Sequence, residues 1–449
     1  MNHQGGCGVS TQKQPCWRPN RQSRDGSATF LPLLGSWSQY VMRESFSLSM
    51  ESSHLPIAGF RCRCMVALRI ILASLALFAS VAAGAQTPST GWLHLASPVE
   101  YQVSQRTNRS TGPLPIRGSL AMPLDAEVEI QCRLPKSAHL GSWRTIQILA
   151  PGKTQFETSI PAPAGGWYPV EVRATQQGIV LDTVSREHVG VGEVFVVAGQ
   201  SNAANHGEEK QQPGSGLVTT FIGPDWRLAH DPQPGASGNG GSFLPPLGDR
   251  LAGHFRVPIG FVSCAVGATS VREWLPKGER FPHPPTLTGN VQELPSSEWE
   301  SKGNLFDAFT RRVKSLGPAG FRAVLWHQGE SDANQRDPIR TLPGDFYQDY
   351  LEKLIRTSAL SIGWNPPWFV ALASYHTPDD PGSPDIRAAQ RALWTRGIAL
   401  EGPDSDALSG DLRDSGGKGV HFSAKGLREH ANRWAEKLIP WLDKQSSQP

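Results

Sequence analysis

Residues 192–205 read Gly-Glu-Val-Phe-Val-Val-Ala-Gly-Gln-Ser-Asn-Ala-Ala-Asn. Val194, Phe195, Val196 and Val197 form a short β-branched and aromatic run, the pattern of a strand buried on both faces of a parallel sheet. The run stops at Gly199, and Ser201 follows among small and polar neighbours. Open α/β sheets keep their binding crevices at the carboxyl edge of the strands. A serine at that edge is a candidate nucleophile, and it needs partners that the rest of the chain must supply.

Downstream, strands alternate with helices. Residues 259–265 read as an apolar strand ending in Val266-Gly267-Ala268-Thr269-Ser270, and residues 321–326 as another ending in His327-Gln328-Gly329-Glu330-Ser331-Asp332. A further buried strand is expected over 368–373. Helices are expected over 305–316, with Leu305, Phe309, Val313 and Leu316 on one face; over 345–355, with Phe346, Tyr350 and Leu354 on one stripe; and over 386–394. The last, 427–442, repeats apolar residues at Leu427, Ala431, Trp434, Leu438 and Leu442. Alternation of this kind predicts a doubly wound α/β fold, three layers with a parallel sheet in the middle. Residues 207–241 and 277–302 show little periodicity and many Pro, Gly and polar residues, and read as long functional rims.

Upstream, residues 86–190 read as short strands punctuated by turns: 114–117, 127–133, 145–149, 155–160, 168–174 and 179–183. Six short strands in about 100 residues predict a small β-sandwich of the immunoglobulin or fibronectin kind. It carries no evident reactive group, so an accessory or packing role is expected. Sugar contact through Trp92, Trp143 or Trp167 is the other reading. Fourteen tryptophans against six tyrosines lean towards carbohydrate-handling surfaces.

The first 85 residues differ from the remainder. Arg61-Cys62-Arg63-Cys64-Met65 precedes an apolar run and then Ala83-Gly84-Ala85, the three parts of a secretory signal peptide. Arg69 interrupts the run and leaves it short for a membrane span, so cleavage after Ala85 is expected over a retained anchor. The expected organisation is therefore a non-native extension (1–64) if Met65 is the true start, a signal peptide (65–85), the sandwich (86–190) and a catalytic domain (191–445), in a secreted or periplasmic protein. Residues 1–85 hold eight Lys/Arg and three Asp/Glu, a net of +5, so the mature chain is −2 where the full chain is +3. No basic patch argues for nucleic acid. Only Cys132 and Cys264 lie beyond the leader, and no Cys/His spacing resembles a zinc site, so neither metal nor cofactor is expected.

A serine hydroxyl becomes a nucleophile when a base takes its proton, an acid orients that base, and N–H donors face the developing oxyanion. Ser201 follows one expected strand, Gly267 a second, Gln328 and Glu330 a third, and His421 precedes the last helix. Gly199-Gln-Ser-Asn-Ala lacks the final glycine of the α/β-hydrolase elbow. Gly199-Gln200-Ser201-Asn202, Gly267, His327-Gln328-Gly329-Glu330 and Gly419-Val420-His421-Phe422, in this order across about 192–442, resemble the blocks of the SGNH-type hydrolases. The resemblance is greatest to the sialate O-acetylesterase family, related to carbohydrate esterase family six with its acetyl xylan esterases. It implies a metal-independent serine esterase acting on acetylated carbohydrates. Ser201 would then be the nucleophile and His421 the base, with an oxyanion hole from the N–H groups of Ser201 and Gly267 and the Gln328 side chain.

One position departs from the pattern. Relatives carry Asp three residues before the histidine, where this chain has Lys418. Glu330 is the expected substitute, with Asp414 and Asp411 as alternatives. His327 and Asp332 are expected as supports; Trp274 and Arg272 are expected either to line the site or to be structural; Asn205 and His206 are placed on its rim. A lipase, thioesterase or peptidoglycan acetylesterase on the same scaffold, and a non-hydrolysing carbohydrate-binding homologue, are the competing functions.

Overall fold

The computed structural model describes residues 91–446. The expected extension, signal peptide and cleavage after Ala85 fall outside the described residues. Eight strands come first: β1 (Leu93–Ser97), β2 (Val103–Gln105), β3 (Thr111–Leu120), β4 (Val128–Arg133), β5 (Arg144–Leu149), β6 (Gln155–Pro163), β7 (Gly165–Gln176) and β8 (Ile179–Gly199). Strands β1, β3 and β6 form one antiparallel sheet; β5, β4, β7 and the first half of β8 form another. Leu114, Ile116 and Phe156 from the first sheet share an apolar core with Ile130, Val170, Val172 and Val189 from the second. Alternation sets these faces: in β4, Val128, Ile130 and Cys132 are buried while Glu129, Gln131 and Arg133 are only part-buried.

The sequence places a domain boundary at residue 190, and there the chain is in the middle of β8. The 21-residue strand pairs with β7 over its first half, then enters the second sheet as its central strand. No linker intervenes. The crossing is fixed by a buried carboxylate: Glu193 accepts from Arg106 Nε at 2.6 Å, Arg322 Nε at 2.7 Å and Gln105 Nε2 at 2.9 Å. Arg106 and Gln105 belong to the segment at and just after β2, and Arg322 immediately precedes the next strand of the second sheet. Removing one partner from such a buried cluster costs several kcal/mol, about 3–5, because the remaining charge is stranded.

The remaining strands are β9 (Val218–Phe221), β10 (Trp226–Leu228), β11 (Ile259–Ser263), β12 (Arg280–Phe281), β13 (Val291–Glu293), β14 (Trp299–Ser301), β15 (Ala323–His327), β16 (Trp368–Leu372) and β17 (Leu400–Asp404). The main sheet runs in the order β10-β9-β11-β8-β15-β16-β17, parallel throughout except for β10 at its edge. Helices α1 (Leu244–Phe255) and α5 (Ala424–Ser446) cover one face, α2 (Asn304–Lys314), α3 (Gly344–Ile362) and α4 (Pro384–Thr395) the other. Period-two alternation in β8 divides its side chains between them. Phe195 and Val197 join the core with Leu247, Trp434 and Leu438, while Val194, Val196 and Ala198 join that with Phe309, Leu351 and Leu393.

Several local expectations change. The stripe of α3 is Tyr347, Tyr350, Leu351, Leu354 and Ile355, and Phe346 lies outside it at 38 % exposure. The two stretches read as rims contain short strands, β9 and β10 in 207–241 and β12 to β14 in 277–302, each too short to show a period. Helix α1 was hidden by Pro245 and Pro246, which sit in its first turn, where a missing N–H costs nothing. Among the described residues no helix is long and apolar enough to cross a membrane. Cys132 and Cys264 are free and buried, and burial pushes both thiols up to about 12.

Candidate active site

The site is built where β8, β11 and β15 end together. Gly199 closes β8 at φ +127°, and a Cβ there would stand 2.0 Å from the His327 carbonyl oxygen, so the close approach of the two strand ends admits only glycine. Gln200 stitches them further: its Oε1 accepts from Ser331 N at 3.0 Å and Gln328 Nε2 at 3.3 Å. Ser201 opens a single 3₁₀ turn (Ser201–Ala203) and is 6 % exposed. The first N–H groups of such a turn have no partner within it, which leaves them available to an anion.

Asn202 ties this turn to two other blocks. Its Nδ2 donates to Glu330 Oε1 at 2.9 Å and to the Val420 carbonyl at 3.2 Å. Glu208 N donates to the Phe422 carbonyl, and the rings of His206 and His421 stack with centroids 5.3 Å apart. The segment carrying Ser201 therefore lies against the segment carrying His421. The structure brings together the first, third and fourth blocks that the sequence singled out.

The carboxylate beside His421 is Asp414. His421 Nδ1 is 3.6 Å from Asp414 Oδ2, His421 N donates to Asp414 Oδ1 at 3.2 Å, and Asp414 N donates back to the His421 carbonyl at 2.9 Å. Gly419 makes the clasp feasible, since a Cβ there would lie 1.7 Å from Asp414 Oδ1. Lys418 points to solvent and Asp411 pairs with Lys425 Nζ at 2.6 Å. Glu330, expected as the orienting acid, is engaged elsewhere. Its Oε1 takes Asn202 and lies 3.4 Å from His327 Nε2, and its carboxylate is 3 % exposed. Burial pushes the Glu330 carboxyl up, but the charge of and hydrogen bond from His327, with the Asn202 amide, outweigh it and hold the group at about 2.

Two expected oxyanion donors are also committed. Gln328 is fully buried, and its amide nitrogen already donates to Asp332 Oδ2 at 2.7 Å and the Thr269 carbonyl at 3.0 Å. It has no N–H left for a substrate. Gly267 N donates to Ser237 Oγ at 2.7 Å, and the same oxygen lies 3.2 Å from His206 Nε2. Ser237, in an aperiodic loop, had no signal in the sequence. His206 is half-buried; burial, then the neighbouring His421, keep its pKa below the ordinary imidazole value.

Arg272 and Trp274 do not line the crevice; they are 0 % and 1 % exposed. Arg272 Nη2 lies 3.3 Å from Asp332 Oδ1, which also accepts from Ser270 Oγ, while Asp332 Oδ2 takes Val271 N. Asp332 thus locks the turn after β11 to the turn after β15. Asn205 is buried and holds the 233–236 loop through Nδ2 to the Gln233 carbonyl and Oδ1 from Gln233 N. His376, another residue the sequence did not mark, reaches the Glu330 carbonyl with Nε2 at 2.6 Å.

Comparison with known proteins bears on the family of the chain. The chain is 26% identical over 167 residues to "Probable carbohydrate esterase At4g34215" of Arabidopsis thaliana, a match covering 31% of this chain and 54% of the relative. It thus spans about half the length of that curated relative. Among solved structures it is similar to XAC1771, a carbohydrate acetylesterase from Xanthomonas citri, at 17% identity and a TM-score of 0.46, covering 75% of this chain and 72% of the other. The Arabidopsis thaliana protein AT4G34215 gives 17% identity and a TM-score of 0.39 over 55% of this chain and 98% of the other. The family model described as "Carbohydrate esterase, sialic acid-specific acetylesterase" matches residues 191–440, more than half of the chain, and the chain belongs to that carbohydrate esterase family.

Proposed function

We propose that the protein is a secreted or periplasmic serine O-acetylesterase that removes acetyl groups from carbohydrate hydroxyls, with Ser201, His421 and Asp414 as its triad. The observation that carries the reading is the Asp414–His421 clasp, tied to the Ser201 turn by the bond from Asn202 to the Val420 carbonyl, with Gly419 clearing room for the carboxylate. In the reaction His421 Nε2 takes the Ser201 proton as Oγ attacks the acetyl carbon. Asp414 holds the proton on Nδ1 and stabilises the imidazolium. The tetrahedral intermediate collapses by breaking the bond to the sugar oxygen, which receives the proton from His421. Water, deprotonated by the same imidazole, then releases acetate from the acetyl-enzyme.

The N–H groups at the head of the Ser201 turn supply the oxyanion donors, and Gly267 joins them once the acyl oxygen displaces Ser237 Oγ. That occupied donor is the observation favouring the second reading, a carbohydrate-binding homologue that does not hydrolyse its ligand. Acetate release from acetylated xylan, sialic acid and pectin, with Ser201→Ala as control, decides between them. Release by the parent chain and none by the variant supports the esterase. Binding without release, with no labelling of Ser201 by a serine-directed phosphonate, supports the homologue.

A further inference from the structure

Behind the Ser201 turn lies a chain of buried groups whose donors and acceptors fix where the protons are. An indole N–H can only donate, and Trp434 Nε1 donates to His430 Nε2 at 3.0 Å. That nitrogen is therefore bare, and the His430 ring proton is on Nδ1. His327 Nδ1 lies 3.1 Å from the same bare nitrogen, so it must itself carry a proton or two lone pairs would face each other. On the other side of the ring, His327 Nε2 faces Glu330 Oε1 at 3.4 Å and Ser405 Oγ at 3.2 Å. The Ser405 hydroxyl donates to the Leu372 carbonyl at 2.7 Å, leaving its oxygen to accept. Both neighbours of Nε2 are acceptors, and Nε2 needs a proton as well.

We propose that His327 is a buried imidazolium paired with the Glu330 carboxylate, and that this pair acts by holding Asn202, whose amide joins the Ser201 turn to the residue before His421. The carboxylate sits well below its ordinary range, as such a pair requires. Its surroundings make the anion necessary. His327 and His430 are both 0 % exposed, and the guanidiniums of Arg413 and Arg433 act on His430 as well. Arg413, stacked on Tyr375 and Phe422, spends its donors on the carbonyls of Leu408, Ser405 and Val420. Glu330 is thus a positioning residue: its Oε1 accepts one Asn202 N–H while Val420 accepts the other.

The protonation claim is tested on the full chain, labelled with ¹⁵N-histidine, at pH 8. Both His327 ring nitrogens are expected in the protonated range, with His327→Gln identifying the signals. In Glu330→Gln the Nε2 proton is expected to be lost, leaving the neutral Nδ1–H tautomer. A bare ring nitrogen on His327 in the parent chain overturns the proposal. The positioning claim is tested by kinetics and rests there on the esterase reading. Glu330→Gln and Asn202→Ala are each expected to lower kcat about ten- to hundredfold with KM nearly unchanged. The double variant is expected to be no worse than the more impaired single, because both remove one linkage. Losses that multiply overturn it. If the parent chain releases no acetate, the esterase reading fails by itself. The Asn202 side-chain amide resonances then give the answer, shifting in Glu330→Gln or ending the positioning role.

Discussion

Two carboxylates flank the Ser201 turn, and their settings are opposites. Glu330 sits at the end of a core strand, sealed from water, its charge matched by His327. Asp414 lies in a loop with Gly416 and Gly417, its side chain 20 % exposed, linked to His421 through backbone and ring together. The buried acid is rigid and cannot follow an imidazole that moves between two proton partners. The loop acid can, because it is bonded to the same histidine by main chain. On the proposed mechanism, position on a core element makes the first a scaffold, and attachment to His421 makes the second the acid of the triad.

Mutations can break this comparison. Ser201→Ala is expected to abolish acetate release, a loss of about a millionfold in kcat where the nucleophile is removed. Asp414→Asn should cost about a thousand- to ten-thousandfold, as an orienting acid does, well beyond the effect of Glu330→Gln. If Glu330→Gln proves the more damaging in steady-state kinetics, the assignment of the two acids is exchanged. Gly419→Ala places a methyl group where Asp414 Oδ1 now lies, and the displaced carboxylate should lower kcat about a hundredfold with little change in thermal unfolding.

Acid unfolding gives a quieter contrast. The Glu330 carboxyl falls from 4.5 in its ordinary state to about 2 in the folded chain. Its stabilisation is therefore complete above the unfolded value and is lost as pH falls from there through about 2. In Glu330→Gln the stability curve should flatten across that window. The smallest effect belongs to Lys418→Asp: the exposed lysine is not replaced by any missing function, and activity should stay within about twofold, as for surface changes generally.

Much of this was legible in the chain because strands and their polar turns are local signals. Val194 to Val197 announced β8, and the turns after β8 and β15 announced themselves by Gly199-Gln200-Ser201 and His327-Gln328-Gly329-Glu330. What escaped depended on tertiary approach. Asp414 was named only as an alternative to Glu330, because it stands seven residues before His421 with no period linking them. Gln328 was expected as an oxyanion donor because the family resemblance implied it. Its direction is set by Asp332 four residues later, which the spacing alone does not reveal. The loop residue Ser237 reaches Gly267 across 30 positions, a contact no local pattern encodes.

The unbroken passage of β8 through residue 190 bears on how this protein can be taken apart. A fragment beginning at residue 191 would keep every candidate catalytic group, yet it would expose the Glu193 carboxylate by removing Arg106 and Gln105. The leading strands are thus no detachable module for exchange among relatives. Grafting a foreign sugar-binding unit in their place would require a substitute cation at Glu193 as well as a new strand.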